Sequence, residues 1–108
     1  RQADAYFLVA TLYALCPRPG GQGTLASTLA DISRLPGVNR EGVDRRLAIL
    51  IDANRGELPF RLRQAVRFIA AHDRAIPWES LLTDVLRWEH PDRVVQRAWA
   101  RAYFGSDR

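Results

Sequence analysis

Arginine carries most of the polar chemistry of this chain: sixteen of its 108 residues are arginine and none is lysine. A guanidinium is permanently charged and offers a rigid planar fork of donors, which suits carboxylates and, above all, phosphates. The segment "ELPFRLRQAVRFIAAHDR", residues 57–74, holds four of them. At ~100° per residue, Arg63, Arg67 and Arg74 fall within roughly 40° of one another, Leu62, Ala65, Val66 and Ile69 take another side, and Arg61 lies apart. Arg93, Arg97 and Arg101 recur at i, i+4 and i+8, facing away from Val95, Ala98, Trp99 and Ala102.

Acidic residues at i±3 or i±4 would turn these ridges into lattices of weak ion pairs. None lies between Arg61 and Ala71, and none between Arg93 and Gly105. Two accounts stay open: a solvated amphipathic face, or a surface for a polyanion, where each phosphate neutralised releases counterions. The net charge of +4 and pI near 10.2 fit either one, and arginine without lysine also fits a GC-rich coding sequence.

Catalysis has little support in the residues. His72 and His90 each lack the spaced ligands of a zinc site, so no metal and no cofactor is expected. Cys16, the only cysteine, stands in an apolar run where a thiolate is disfavoured, so it reads as a small buried hydrophobe and rules out an internal disulfide. Glu79 and Asp84 sit on mixed faces with no sign of paired acid–base work. "GGQG" before Thr24 is a poor phosphate loop, since it follows a helix pattern and lacks the lysine, and its GGQ tripeptide is too short to point to the tip of a peptide-release factor.

The elements that must position the arginines are helical throughout, and no stretch alternates with a period of two. The expected fold is all-α, a single domain over residues 1–108 with six helices joined by short loops and packed as near-antiparallel neighbours. A first helix over about 4–16 is apolar nearly all round, as a central helix would be. Residues 17–23, "PRPGGQG", read as a flexible loop. Thr24 caps a short helix ending at "LPG", and Asn39 caps the next, running to about Ala53. Pro59 and Pro77 suit the first turns of two more helices, and Asp92 caps the last, which Gly105 stops. The longest apolar run is too short to span a bilayer and no signal-peptide cleavage pattern follows it, so no membrane insertion is expected, and the lone cysteine fits a reducing cytoplasm. With no methionine and a helix pattern starting almost at Arg1, the chain is expected to be part of a longer one.

"TLADISRLPGVNREGVDRRLAIL" also allows a helix-turn-helix, with Ser33 as the small residue, Gly37 in the turn, Val43 as the anchor, and Arg40, Asp44 and Arg45 reaching base edges. Pro36 in the turn and Gly42 early in the second helix oppose it. A helical protein-interaction module with merely solvated ridges is a further alternative.

The order and spacing of "DRRL", "LIDANR", "ELPFRLRQAV", "IPWESLLTDVLRW" and the closing arginine-rich helix resemble the small CasB-type subunit of the type I-E CRISPR surveillance complex, Cascade. Upstream, "FLVATLYALCPRPGGQGTLASTLADISR" is similar as well, so the resemblance runs along essentially the whole chain, although such subunits carry additional N-terminal helices. It implies a non-catalytic protein without cofactor or small-molecule substrate. Its implied partners are other Cascade subunits, a second copy of itself, and the backbones of CRISPR RNA and opened target DNA, with no membrane contact. Carried over position by position, the residues of the nucleic-acid face would be Arg45, Arg46, Arg55, Arg63, Arg67, Arg87 and Arg93. Base pairing does the sequence reading in RNA-guided complexes, so such a helper need only hold backbone. Stacking aromatics are not evident among Tyr6, Phe7, Trp78, Trp88 and Trp99, which sit at core-like positions apart from Trp88.

Overall fold

The computed structural model describes residues 2–105; the outermost ends of the expected domain, residue 1 and residues 106–108, lie outside them. Six helices follow in order: α1 (Gln2–Leu15), α2 (Leu25–Ser33), α3 (Arg40–Ile51), α4 (Leu58–Ala71), α5 (Trp78–Leu86) and α6 (Val94–Phe104). No strand occurs among the described residues, in keeping with the all-α reading.

Local chemistry sets most of the boundaries. The Thr24 hydroxyl accepts from the Ser27 amide at 3.1 Å while the Ser27 hydroxyl accepts from the Thr24 amide at 2.9 Å, a reciprocal box that starts α2. Gly37 takes φ +83° in the turn behind α2, a conformation open to a residue without Cβ. Asn39 then caps α3 through the Gly42 amide. Pro59 sits in the first turn of α4 as expected. Pro77 stands instead at the N-cap of α5, just before the helix.

The start of α6 differs from the capping expectation. The turn after α5 is closed by the Asp92 amide on His90 Nδ1 at 3.1 Å, and Arg93, not Asp92, occupies the N-cap, in the left-handed region at φ 52°. From there the Arg93 guanidinium donates to the Ile51 carbonyl at 2.9 Å, tying the start of α6 to the end of α3. Arg74 likewise leaves the expected ridge, because α4 ends at Ala71 and the chain reverses at Asp73, whose φ is 58°.

One continuous core forms beneath these helices, with Leu12, Leu25, Leu29, Ile32, Leu47, Leu50, Leu62, Ile69, Leu81 and Trp99 fully enclosed. The main packing is not simply sequential: α2 lies on α6 and α1 on α5, with α2–α3 and α3–α4 completing the stack. Burial of these side chains contributes roughly 1.5–3 kcal/mol each and is the main force holding the helices together.

Two expectations about the core are overturned. Helix α1 is peripheral: only Ala5, Val9 and Leu12 are buried, while Phe7 is 73% and Tyr6 50% exposed. It packs mainly on α5 and α4, and its other side, with Tyr6 and Phe7, stays exposed among the described residues. Trp88, set apart from the core-like aromatics, is buried as well; its Nε1 donates to the Ala53 carbonyl at 2.9 Å and its ring meets Trp99 edge-on at 5.2 Å.

The glycine-rich loop is anchored at several points. The Ser80 hydroxyl donates to the Gly23 carbonyl at 2.7 Å, Gly21 presses on the backbone of Ile76 and Pro77, and Arg18 lies 3.8 Å from the Asp73 carboxylate. No helix among the described residues is long and apolar enough to cross a membrane.

Candidate nucleic-acid interface

Where α3 and α4 pack against each other, Gly42, Arg45, Arg46, Ile49, Arg61 and Gln64 line a groove of about 220 Å³. Each residue arrives there by helical register. Val43, Leu47 and Leu50 hold α3 on the core, which turns Arg45 and Arg46 outward. Leu58, Leu62, Ala65, Val66 and Ile69 do the same for α4, and Arg61 flanks that apolar stripe on the side facing α3.

Arg46 is stacked 4.2 Å above the Phe68 ring, and its Nε is buried without a hydrogen-bond partner. Stacking fixes the plane of a guanidinium that lines the groove. Phe68 is itself held by the tilted ring of His72 at 4.6 Å, and His72 Nδ1 lies 2.9 Å from the Phe68 carbonyl. No ion pair engages Arg45, Arg46, Arg61, Arg63 or Arg67 among the described residues. Arg63 and Arg67 are exposed on the solvent side of α4, one turn apart.

The seven arginines expected at a nucleic-acid face therefore separate into groups. Arg45 and Arg46 meet in the groove, with Arg63 and Arg67 on the adjoining helix. Arg55 lies in the α3–α4 loop and bridges two carboxylates, Asp4 on α1 and Glu89 after α5, each at 3.1 Å. Arg93 is spent on the Ile51 carbonyl. Arg87 is the exposed C-cap of α5, and its charge acts on Asp84, which accepts from Trp99 Nε1 at 2.8 Å. Of the second ridge, Arg97 reaches the Asp92 carbonyl at 3.4 Å. Arg61, set aside in the single-helix reading, is the groove residue that reading missed; the signal exists only once α3 and α4 are placed together.

The helix-turn-helix pattern is met locally, since Ser33 and Val43 are buried and Gly37 makes the turn. The turn spans residues 34–39, longer than the three or four residues usual for that motif. Asp44, which would reach a base, instead accepts the buried Tyr103 hydroxyl at 2.5 Å. Among the described residues no three His, Cys, Asp or Glu side chains gather as a metal site.

Fold and groove together define a small all-α protein with an arginine-lined groove between two of its helices. Several comparisons point to one family. The family model for CRISPR-associated protein Cse2 matches residues 1–104. A CRISPR-associated protein Cse2 from Thermus thermophilus is 38% identical over 105 residues, covering 97% of this chain and 59% of the relative. The crystal structure of CasB from Thermus thermophilus superposes with a TM-score of 0.81 at 38% identity, over 96% of this chain and 62% of that one. The crystal structure of M. ruber CasB gives 0.82 at 30% identity, over 95% and 64%. The chain belongs to the Cse2 family of CRISPR-associated proteins, also named CasB. It spans about three fifths of the length of the relatives it matches.

Proposed function

We propose that this chain serves as a non-catalytic subunit of a type I-E CRISPR surveillance complex, holding guide RNA and opened target DNA by their backbones. The observation that carries this reading is the convergence of Arg45, Arg46 and Arg61 on one groove, with Arg63 and Arg67 beside it and none of the five held in an ion pair among the described residues. Guanidiniums spaced along two packed helices match a chain of phosphates, and such contacts are blind to sequence. That is sufficient where base pairing to the guide supplies the specificity. In this reading the chain is cytoplasmic, uses no metal or cofactor, pairs with a second copy of itself and docks on other Cascade subunits. Arg55 and Arg93 would contribute mainly by holding the helices together, and Arg87 as an exposed charge at the end of α5.

The test is co-purification with the remaining Cascade subunits and guide RNA, with and without target DNA. Retention that is lost in an R45E/R61E variant supports the reading. A chain that neither co-purifies nor binds single-stranded DNA in low salt overturns it.

A further inference from the structure

Phe60 is 57% exposed in the first turn of α4, a position where nothing in the core requires an aromatic ring. Gln64 and Arg67 follow it at i+4 and i+7 on the same outward stripe. The Arg61 guanidinium stands 5.4 Å from the Phe60 ring centroid, and Arg61 and Gln64 both line the arginine groove. An exposed ring, a side-chain amide and a run of unpaired guanidiniums therefore sit together along one helix. A purely apolar partner would satisfy the ring and strand the charges. A nucleotide answers all three, because it has a flat π-face, a hydrogen-bonding edge and an anionic backbone.

Resting on the backbone-holding role proposed above, we propose that Phe60 is a stacking platform for one unpaired base of a single strand whose phosphates lie along the α3–α4 groove. Gln64 reaches the edge of that base, and Arg61 closes the ring on the groove side. Bases in a duplex are already stacked on their neighbours, so only an unpaired strand can use Phe60. The groove binds any phosphate backbone; the ring makes it prefer an opened strand.

The test uses an oligothymidylate carrying 5-iodouracil, a duplex of matched length, and the variants F60L, F60Y and R45E, in low salt. F60L keeps an apolar side chain at an exposed site but removes the π-face. It is expected to lose about tenfold in affinity for the single strand, with duplex affinity unchanged, while F60Y binds like the parent. Irradiation of the parent complex should place the crosslink on Phe60. If F60L keeps full single-strand affinity while R45E loses it, stacking is wrong and the backbone role stands. If the parent binds no strand at all, the backbone role fails and stacking with it. If F60L instead abolishes association with other Cascade subunits and leaves strand binding intact, Phe60 is a protein contact and the proposal is overturned.

Discussion

The hydroxyl of Tyr103, near the end of α6, donates to Asp44 Oδ1 in the middle of α3 at 2.5 Å, joining residues 59 positions apart. This bond lies on the inner side of α3, and Arg45 and Arg46 follow Asp44 directly in sequence, so it helps set the rotation that turns both toward the groove. It also takes up the carboxylate that a DNA-reading second helix would need free.

Replacing Tyr103 with Phe should cost about 1–2 kcal/mol, the usual result of leaving a half-buried acceptor without its donor. The pH dependence is more specific. Burial first, and then the bond to Asp44, push the Tyr103 hydroxyl up to about 12 from its ordinary value of 10.0. A pKa raised by folding means the native state holds the proton where the unfolded chain has lost it. The associated stability is fully present below pH 10 and drains away as pH rises to about 12. Urea titrations across that window should show the decline in the parent and its absence in Y103F.

Reversing Arg63 and Arg67 to Glu should leave the helical spectrum intact, since both side chains are exposed, and weaken binding to single-stranded DNA. Affinity measured against salt should lose about 0.7 from its log–log slope for every phosphate contact removed. Random and chosen duplexes should be bound with nearly equal affinity. A preference of ~10³-fold for one duplex would favour a sequence-reading regulator instead.

Arg55 should behave differently from Arg63 although both belong to the expected basic set. Its guanidinium is already shared between Asp4 and Glu89, so R55A removes a clamp between α1 and the segment after α5. The expected cost is about 1 kcal/mol in thermal or urea unfolding, in line with two exposed pairs. Single-strand affinity should change less than in R45E.

These differences mark what one sequence can and cannot show. Thr24, Asn39, Pro59 and Gly105 were legible because a cap is decided by residues within one turn of it. Arg93 displaced Asp92 because the carbonyl it answers, that of Ile51, is 42 positions away. The same limit hid Arg61, whose role needs α3 beside α4. It also exchanged the apparent roles of Phe7 and Trp88: apolar composition marks a side chain as fit for burial, and only packing decides which ones are covered.

Asp84 offers a second test with a definite sign. Burial raises its carboxyl above the ordinary value of 3.8, against the hydrogen bond from Trp99 and the charge of Arg87, which both pull it down. The fold therefore favours the protonated form, and the stability this gives is present below pH 3.8 and lost as pH rises through the raised value. D84N keeps an oxygen for the Trp99 indole and carries no charge to desolvate. It should be more stable than the parent by about 0.5 kcal/mol at pH 7, with the gain vanishing near pH 3. D84A leaves the indole N–H without an acceptor and should lose about 1–3 kcal/mol.

The glycine-rich loop reads as a tether in sequence and as a brace in its packing. A Cβ added at Gly21 would collide with the Ile76 carbonyl and stand 2.6 Å from the Pro77 nitrogen. All of those atoms are backbone, so no side chain can swing aside to make room. G21A must push the loop away from the segment that starts α5, straining the Ser80 bond to the Gly23 carbonyl at the same time. The expected loss is roughly 1–3 kcal/mol, as for other overpacked sites. Limited proteolysis should cut G21A within residues 17–23 faster than the parent, whereas Q22A, at an exposed neighbour, should be cut at the parental rate. Equal rates for all three would mean the loop is a free linker after all.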